Sequence, residues 1–326
     1  MVFAHEPVLL AETIAALAPP TGGIAVDCTA GGGGHSHALG EALGAGGRLI
    51  ALDRDPAAVD AARARLADLD CAWQVVQAPF SELDRVLEEA GIGRGSVDAI
   101  LADVGVSSHQ IDSAERGFSF AADGPLDMRM DPTTGDTAAD LVNHLDEVEL
   151  ADVIFRLGDE RQSRRIARTI VRRRETEPFA RTADLAAVIE RAVGGRKGAR
   201  IHPATRSFQA LRIAVNGELD QLDSLLRSAL AWLKPGGRLG VITFHSGEDR
   251  RVKRWFALLR QDCVCEPKGP TCTCGWHAQV RLPQGKGWTA GPDELARNPR
   301  ARSARLRVAE RLDVPLLPPS GARHAR

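Results

Sequence analysis

Three aspartates stand at the ends of predicted strands in the first third of the chain. Asp27, Asp53 and Asp103 each close a short apolar run. The carboxyl ends of parallel strands meet at one edge of an open α/β sheet, and such sheets bind their ligands there. An ionised carboxylate accepts hydrogen bonds and donates none, so it suits a ligand with hydroxyl groups or positive charge. This regular placement predicts a binding site at that edge.

A glycine-rich segment follows the first of these acids and precedes a predicted helix. Four consecutive glycines, Gly31 to Gly34, are followed by His35. Glycine permits a sharp turn and close approach to a ligand, and the N–H groups at a helix start attract negative charge. A tight turn without a ligand is the alternative, but four glycines in succession cost conformational entropy. The segment therefore favours a ligand-binding loop.

Two ligands are compatible with this loop. A dinucleotide loop has the spacing Gly-x-Gly-x-x-Gly, which Gly31, Gly33 and Ser36 match only in part. An acid directly before the loop, here Asp27, is more typical of sites for S-adenosylmethionine. Asp53 could accept hydrogen bonds from the ribose hydroxyls of either ligand, so it does not discriminate between them.

Strands and helices of about ten residues alternate around these residues, which is typical of parallel βαβ units. Strands are predicted at 23–27, 48–53, 73–76, 97–104, 238–244 and 304–309, and helices at 56–66, 146–157, 160–174, 182–193 and 219–233; segment 30–44 is glycine-rich at its start and helical after that. The simplest fold is a doubly wound α/β sheet that a helical insertion interrupts after its fourth strand. We therefore predict a discontinuous sheet domain of 1–110 and 208–326, with an inserted helical domain of 111–207.

Composition excludes several classes of protein. The chain of 326 residues is 44% hydrophobic and 26% charged, as is usual for a folded globular protein. No apolar run approaches the roughly 18 residues that span a bilayer, and the N-terminus lacks the features of a signal peptide. A cytoplasmic location is expected. The net charge of −1 excludes a globally basic nucleic-acid binder, although local basic surfaces remain compatible with it.

Nine segments together resemble one known family. They are His5-Glu6-Pro7-Val8-Leu9-Leu10, Gly33-Gly34-His35-Ser36, Asp53-Arg54-Asp55-Pro56, Asp103-Val104-Gly105-Val106-Ser107-Ser108, 115–120, 124–131, 202–206, Phe244-His245-Ser246 and 298–303. With these motifs the chain resembles the bacterial ribosomal RNA small-subunit methyltransferase H family (RsmH, also called MraW) over about residues 5 to 311. Segment 115–131 is the most specific part of the resemblance.

The resemblance implies a class I (Rossmann-like) S-adenosylmethionine-dependent methyltransferase sheet with an inserted helical domain. It implies methyl transfer to the N4 amine of cytosine 1402 in 16S rRNA of the small ribosomal subunit. It carries the family's cofactor contacts onto Gly33, Gly34, His35, Asp53, Phe80, Asp103 and Gln110. The expected partner is 16S rRNA within the small subunit, with no membrane; a homodimer is left open. From the residues alone, Phe80 is equally compatible with a place in the core.

The implied reaction sets requirements for the site. A cytosine amine is a poor nucleophile, so the enzyme must align it with the methyl group. It must also accept a hydrogen bond from the N–H of the amine as positive charge develops on the nitrogen. Asp103, Ser107 and Ser108 are the candidate acceptors; alternatively, Asp103 serves only the cofactor. His245 is a candidate for contact with the base or a phosphate, or it satisfies loop carbonyls. Because the methylated nitrogen is strongly acidic, no histidine–carboxylate pair is expected.

A basic segment is the candidate RNA-binding surface. Residues 161–206 contain 13 basic and four acidic residues, whereas 98–160 contains 15 acids and three arginines. The target base must be extruded from folded RNA, and arginines would contact the phosphates. The candidates are Arg164, Arg165, Arg168, Arg172 and Arg206, of which the first four fall on one helix face. The alternative is a solvated face or one paired with the preceding acids.

Four cysteines form two Cys-x-Cys motifs, one at positions 263 and 265 and the other at positions 272 and 274. Four thiolates suit tetrahedral zinc, but common zinc motifs place two or more residues between paired ligands. A reduced, metal-free hairpin is the alternative, and we assign no metal to the catalytic site. Two other functions also remain open: an NAD-linked oxidoreductase on the same fold, and a non-catalytic ribosome-assembly factor that binds the cofactor as a structural element.

Overall fold

The computed structural model describes residues 7–196, 198, 201–265, 272 and 274–317, so the first two motif residues, His5 and Glu6, lie outside it. The chain divides into two compact units. The first consists of Met1–Gly105 and Asp220–Arg326, and the second of Val106–Leu219. The predicted insertion, 111–207, lies inside the second unit. Within the described ranges, no helix is long and apolar enough to cross a membrane.

The first unit contains a sheet of seven described strands in the order β3-β2-β1-β4-β5-β7-β6. The strands are β1 (Ile24–Asp27), β2 (Arg48–Asp53), β3 (Ala72–Gln77), β4 (Val97–Asp103), β5 (Leu233–Thr243), β6 (Val280–Arg281) and β7 (Arg305–Arg311). The first five are parallel, and β7 runs antiparallel between β5 and β6. The predicted doubly wound α/β sheet is confirmed.

Helices connect these strands and build the second unit. They are α1 (Leu10–Leu17), α2 (Gly34–Leu43), α3 (Pro56–Leu66), α4 (Leu83–Glu89), α5 (Ser108–Asp112), α6 (Ala138–His144), α7 (Glu147–Gly158), α8 (Ser163–Arg174), α9 (Thr182–Ala192), α10 (Thr205–Asn216), α11 (Glu218–Trp232), α12 (Ser246–Leu259) and α13 (Pro292–Arg297). Of these, α5 to α10 lie in the second unit.

The sheet is buried on both faces, as its apolar sequence requires. Along β4 the side chains alternate between two apolar clusters. Ile100 belongs to the cluster that contains Trp232, whereas Ala99 and Leu101 belong to the cluster that contains Leu39. Residues 97–102 of β4 are all buried, and only the final Asp103 is partly exposed. The core therefore ends where the strand ends, and polar side chains begin there.

The second unit has its own apolar core, in which Ile154, Ile166 and Leu211 are fully buried. The most family-specific segment, 115–131, folds within this unit as a loop held by polar contacts. Asn216 donates to the carbonyl of Met128 and accepts from the backbone N–H of Met130, both at 2.8 Å. These bonds hold the chain at Met128, whose φ of 64° is left-handed.

Candidate active site

Four neighbouring strands carry polar residues at their carboxyl ends. Asp53, Asp27 and Asp103 close β2, β1 and β4, and His245 follows β5. The strand order places these ends side by side, in the sequence β2, β1, β4, β5. The chain adds β2 and β3 on one side of β1 and then β4 on the other side. The place between β1 and β4 is therefore a topological switch point, at which open α/β sheets form a crevice. The predicted convergence of the three aspartates at one edge is confirmed.

Asp27 binds residues on both sides of the glycine-rich loop. Its side chain is fully buried, and it accepts a hydrogen bond of 2.6 Å from Ser36 Oγ and one of 3.0 Å from the backbone N–H of Thr29. The Thr29 hydroxyl in turn accepts from the backbone N–H of Asp103 at 2.6 Å. Burial raises the pKa of Asp27. Asp27 therefore joins the ends of β1 and β4 to α2.

Asp53 contacts the same loop from the neighbouring strand. Its Oδ2 accepts from the backbone N–H of Gly31 at 2.8 Å, and its Oδ1 accepts from that of Asp55 at 2.9 Å. Burial, with smaller effects from the charges of Asp55 and Asp27, raises the pKa of Asp53 to about 6. An ionised carboxylate offers about four acceptor sites, so two remain for ligand hydroxyls.

The two glycines assigned to the cofactor have a packing role. A Cβ on Gly33 would lie 3.2 Å from Ala62 Cα in α3, and Gly33 has a left-handed φ of 77°. A Cβ on Gly34 would lie 2.2 Å from Pro7 Cγ. Any larger side chain would displace α3 or the residues before α1. The contact of Gly33 and Gly34 with the cofactor stays a prediction.

His35 and Asp103 form a pair, so the expectation that the site has no such pair is wrong. His35 Nδ1 lies 3.6 Å from Asp103 Oδ2, and Nε2 lies 3.0 Å from the carbonyl of Val8. Asp103 Oδ1 is buried and has no hydrogen-bond partner among the described residues. Burial raises the pKa of Asp103 well above its usual value, and the charges of Asp27 and Glu248 raise it further. This oxygen is an acceptor without a donor.

A second histidine–carboxylate pair lies at the start of α12. The fully buried Glu248 accepts from the backbone N–H groups of Phe244 and His245 at 2.8 and 3.2 Å. His245 Nδ1 accepts from the N–H of Gly247 at 3.2 Å, so the ring caps the helix. Its Nε2 lies 3.0 Å from Glu248 Oε1, in a geometry that is not aligned for a hydrogen bond.

Glu248 was not among the predicted residues, although the sequence carries its signal. An acid three residues after an N-cap is the mark of a capping box, and His245 and Glu248 have that spacing. Phe80, which follows β3, is partly buried and packs against the core cluster of Trp232. This position agrees with the core interpretation of Phe80, and its contact with an adenine stays a prediction.

The remaining predicted residues lie in the second unit. Ser107 caps α5: its hydroxyl accepts from the N–H of Gln110 at 3.2 Å, and Gln110 Oε1 accepts from the N–H of Ser107 at 3.0 Å. Gln110 is buried, whereas Ser108 is partly exposed. The hydroxyl of Ser107 and the amide oxygen of Gln110 thus hold their own turn. Their proposed contacts with the amine and the cofactor stay predictions.

The predicted arginine face exists on α8. Arg164, Arg165, Arg168 and Arg172 are all exposed, as is Arg206 at the start of α10. Arg168 pairs with Glu147 at 3.3 Å, and Arg206 donates to the carbonyl of Asp159 at 3.4 Å. In the described part of the chain, the other three make no ion pair. Pairing with the acidic segment therefore accounts for only one residue of this face.

The sheet edge has the chemistry of a site for a cationic ligand that carries hydroxyl groups. Three carboxylates, Asp27, Asp103 and Glu248, lie close enough for the pKa of Asp103 to rise. A positive centre beside Asp103 would favour its ionised form. Asp53 retains acceptor capacity one strand away. S-adenosylmethionine has both a sulfonium centre and ribose hydroxyls, so the residues present fit it.

Comparisons with known proteins agree with this chemistry. A sequence model of the MraW methylase family matches residues 2–312. Relatives named ribosomal RNA small subunit methyltransferase H align along nearly their whole length. The protein of Geobacter sulfurreducens is 52% identical over 96% of this chain and 100% of its own. Those of Trichlorobacter lovleyi and a Caulobacter species are 48% and 50% identical, over 95% and 96% of this chain and 99% and 94% of their own.

Proposed function

Because the chain belongs to the MraW methylase family, we propose that it methylates the N4 amine of cytosine 1402 in 16S rRNA of the small ribosomal subunit. S-adenosylmethionine is the methyl donor, as the sequence predicted. The alternative of an NAD-linked oxidoreductase is therefore dropped. The ribosomal substrate gives the enzyme a cytoplasmic location. The names of the relatives support an rRNA substrate, and the nucleotide comes from the resemblance of the motifs.

The observation that carries the proposal is Asp103 Oδ1, which lies at the switch point of the sheet and has no hydrogen-bond partner in the described part of the chain. Bound at this edge, S-adenosylmethionine supplies a methyl group that its positively charged sulfur has already activated. The chain's own residues then have to position the donor and receive the amine. Asp53 accepts the ribose hydroxyls through its free lone pairs. The buried Asp27 fixes the loop through Ser36 and Thr29.

Asp103 accepts a hydrogen bond from the cytosine amine. The amine would gain positive charge as its nitrogen bonds to the methyl carbon and the bond from that carbon to sulfur breaks, with S-adenosylhomocysteine as the neutral leaving group. A buried carboxylate stabilises the charge on the amine more strongly than water does. The raised pKa of Asp103 also makes it a better acceptor for the proton that the methylated nitrogen must lose. His35 Nδ1, 3.6 Å from the other carboxylate oxygen, orients Asp103. In the alternative, Asp103 serves only the cofactor, and its substitution would change KM for S-adenosylmethionine and not kcat.

The other predicted catalytic residues have supporting roles in this proposal. His245 is held by Glu248 at the start of α12, and its ring contacts the base or a phosphate. Ser107 and Ser108, at the start of α5, are the further acceptors that we propose for the amine. The arginines of α8, with Arg206, bind rRNA phosphates, while the target base is extruded from the stack.

Methyl incorporation from labelled S-adenosylmethionine tests the proposal. Small subunits purified from a bacterial strain that lacks the activity are incubated with the protein, beside large subunits as a control. We expect label in the RNA of small subunits and none in large subunits. A protein that binds S-adenosylmethionine but transfers no label to small subunits or to deproteinised 16S rRNA would be a non-catalytic assembly factor, and the proposal would be wrong. Label in ribosomal protein would also contradict it.

A further inference from the structure

The four cysteines that the sequence left with two interpretations come together in the fold. The Sγ atoms of Cys263, Cys265, Cys272 and Cys274 all lie within 4.8 Å of one another. Cys272 Sγ lies 3.4 Å from that of Cys263, 3.5 Å from that of Cys274 and 3.9 Å from that of Cys265. None of the four forms a disulfide. We propose that this cysteine cluster binds one zinc ion in a closed, structural site.

The separations match the corners of a tetrahedron around one metal ion. Zn–S bonds of about 2.3 Å put neighbouring sulfurs about 3.8 Å apart. Four of the six Sγ–Sγ distances in the cysteine cluster run from 3.4 to 3.9 Å. A disulfide requires about 2.05 Å between its sulfurs. An iron–sulfur cluster spreads its cysteines around more than one iron, so its sulfurs lie farther apart. The geometry therefore favours a single tetrahedral ion, and thiolates with this geometry suit zinc.

Backbone groups support the sulfurs. The N–H of Cys265 donates to Cys263 Sγ at 3.3 Å, and the N–H of Trp276 donates to Cys274 Sγ at 3.4 Å. Such bonds orient metal ligands and stabilise their charge. Common zinc motifs have two or more residues between paired cysteines, whereas each pair here has one. This short spacing nevertheless lets the four sulfurs lie within 4.8 Å of one another. Each Cys-x-Cys pair contributes two ligands to the same point.

The location of the cysteine cluster indicates what the ion would do. The cluster lies between α12 and β6, in a connection of residues 260–279 whose described part contains no helix or strand. Connections longer than about 15 residues without a helix or strand are uncommon in compact domains. Trp276, two residues beyond Cys274, is buried in the core, and the N–H of Gln279 donates to the carbonyl of Leu259 at 2.8 Å. An ion would hold the connection between these two anchors.

The same connection reaches the C-terminal segment. Gln279 Nε2 donates to the carbonyl of Leu317 at 3.3 Å, and Gln279 Oε1 accepts from the N–H of Leu317 at 3.1 Å. His277 Nε2 lies 2.9 Å from the carbonyl of Pro315. Zinc would therefore stabilise the end of the described chain as well. Four protein ligands leave no open coordination position, so the ion takes no part in catalysis.

Metal titration of the reduced, full-length protein tests the inference. The chain is stripped of metal with a chelator under reducing, anaerobic conditions and titrated with Co²⁺, followed by Zn²⁺. We expect one Co²⁺ per chain with the absorption of a tetrahedral thiolate complex, and its displacement by one Zn²⁺. Cys272→Ser should weaken metal binding by more than about 100-fold. Cys71→Ala, which removes a buried thiol outside the cysteine cluster, should leave stoichiometry unchanged.

Two results would overturn the inference. One is a reduced wild-type chain that takes up no metal or takes up iron in preference to zinc, as measured by native mass spectrometry. The other is a Cys272→Ser variant that binds Co²⁺ as the wild type does. Circular dichroism checks that the variant is folded. Because the wild-type stoichiometry is measured independently, a variant that fails to fold does not rescue or defeat the inference.

Discussion

Asp53 uses one lone pair of each carboxylate oxygen on its own backbone surroundings and keeps the rest for a ligand. We expect Asp53→Asn to weaken S-adenosylmethionine binding by roughly 10- to 100-fold, because charge-assisted hydrogen bonds to the ribose become neutral ones. Isothermal titration calorimetry measures the change. Asp60→Asn, an exposed position on α3, is the matched control and should bind as the wild type does. Equal affinities for Asp53→Asn and wild type would remove the ribose assignment.

The pKa of Asp53, about 6, gives cofactor binding a pH dependence. The ionised form binds the hydroxyls, and the ligand in turn favours that form. As pH falls through the pKa of the free protein, less Asp53 is ionised, so affinity falls. Between about pH 7.5 and about pH 5 the loss attributable to this group should be roughly tenfold. In Asp53→Asn this component should be absent. A wild-type profile no steeper than that of the variant would exclude Asp53 as the titrating group.

Asp103 combines a destabilising charge with the proposed catalytic role. The pKa of Asp103 is higher in the folded protein than in the unfolded chain. Its favourable contribution to the free energy of unfolding is therefore complete below the pKa of the unfolded chain and is lost as pH rises through the pKa of the folded protein. At neutral pH, Asp103→Asn should therefore raise the melting temperature. It should also lower kcat by about 100-fold or more at saturating cofactor. If Asp103 serves only the cofactor, KM for S-adenosylmethionine will rise while kcat is kept.

Single residues show what sequence could and could not reveal. The position of Asp53 and Asp103 at strand ends followed from the pattern, because strand ends are a property of local sequence. The pairing of His35 with Asp103 did not, since the residues are far apart in the chain and only the β1–β4 pairing brings them together. Nor did the burial of Asp27, which depends on its contact with Ser36.

At the scale of elements, α8 carries the predicted RNA-binding face. We expect Arg164→Ala, Arg165→Ala and Arg172→Ala together to weaken binding to small-subunit RNA and to reduce the slope of log affinity against log salt by about 2 to 3. The measurement is a filter-binding series at several salt concentrations.

The matched control removes three exposed arginines from outside the basic segment 161–206. Arg63, Arg85 and Arg94 meet this requirement. Their combined change to alanine should leave the salt slope near that of the wild type. Equal loss in both triple variants would mean that net charge, rather than the face of α8, drives binding.

Elements with a clear period and a clear cap were predicted well. Helix α3 begins at Pro56 behind the capping Asp55 and ends at Leu66, as predicted. Strand β5 was predicted from 238 to 244 but begins at Leu233, because the Pro-Gly-Gly segment stays beside β4 across a shift in register at Val97. Helix α12 was not among the predicted helices.

For the whole molecule, alternation of strands and helices was enough to predict the doubly wound sheet and a helical segment inserted in it. The expected Rossmann-like α/β fold is present, whereas the order of the strands and the antiparallel direction of β7 were not predicted. The catalytic and RNA-binding roles could not follow from pattern, because they depend on which polar atoms remain without a partner after folding. Asp103 Oδ1 is such an atom. The proposed reaction follows from this oxygen together with family membership.

The most direct test of the proposed reaction is a mass-spectrometric map of methylated nucleosides in 16S rRNA. Small subunits from a strain without the activity are mapped before and after incubation with the protein and S-adenosylmethionine. The account predicts one new methyl group, on N4 of cytosine 1402, that Asp103→Asn fails to add at the wild-type rate. A new methyl group on another atom or nucleotide, or an unchanged map, would contradict it.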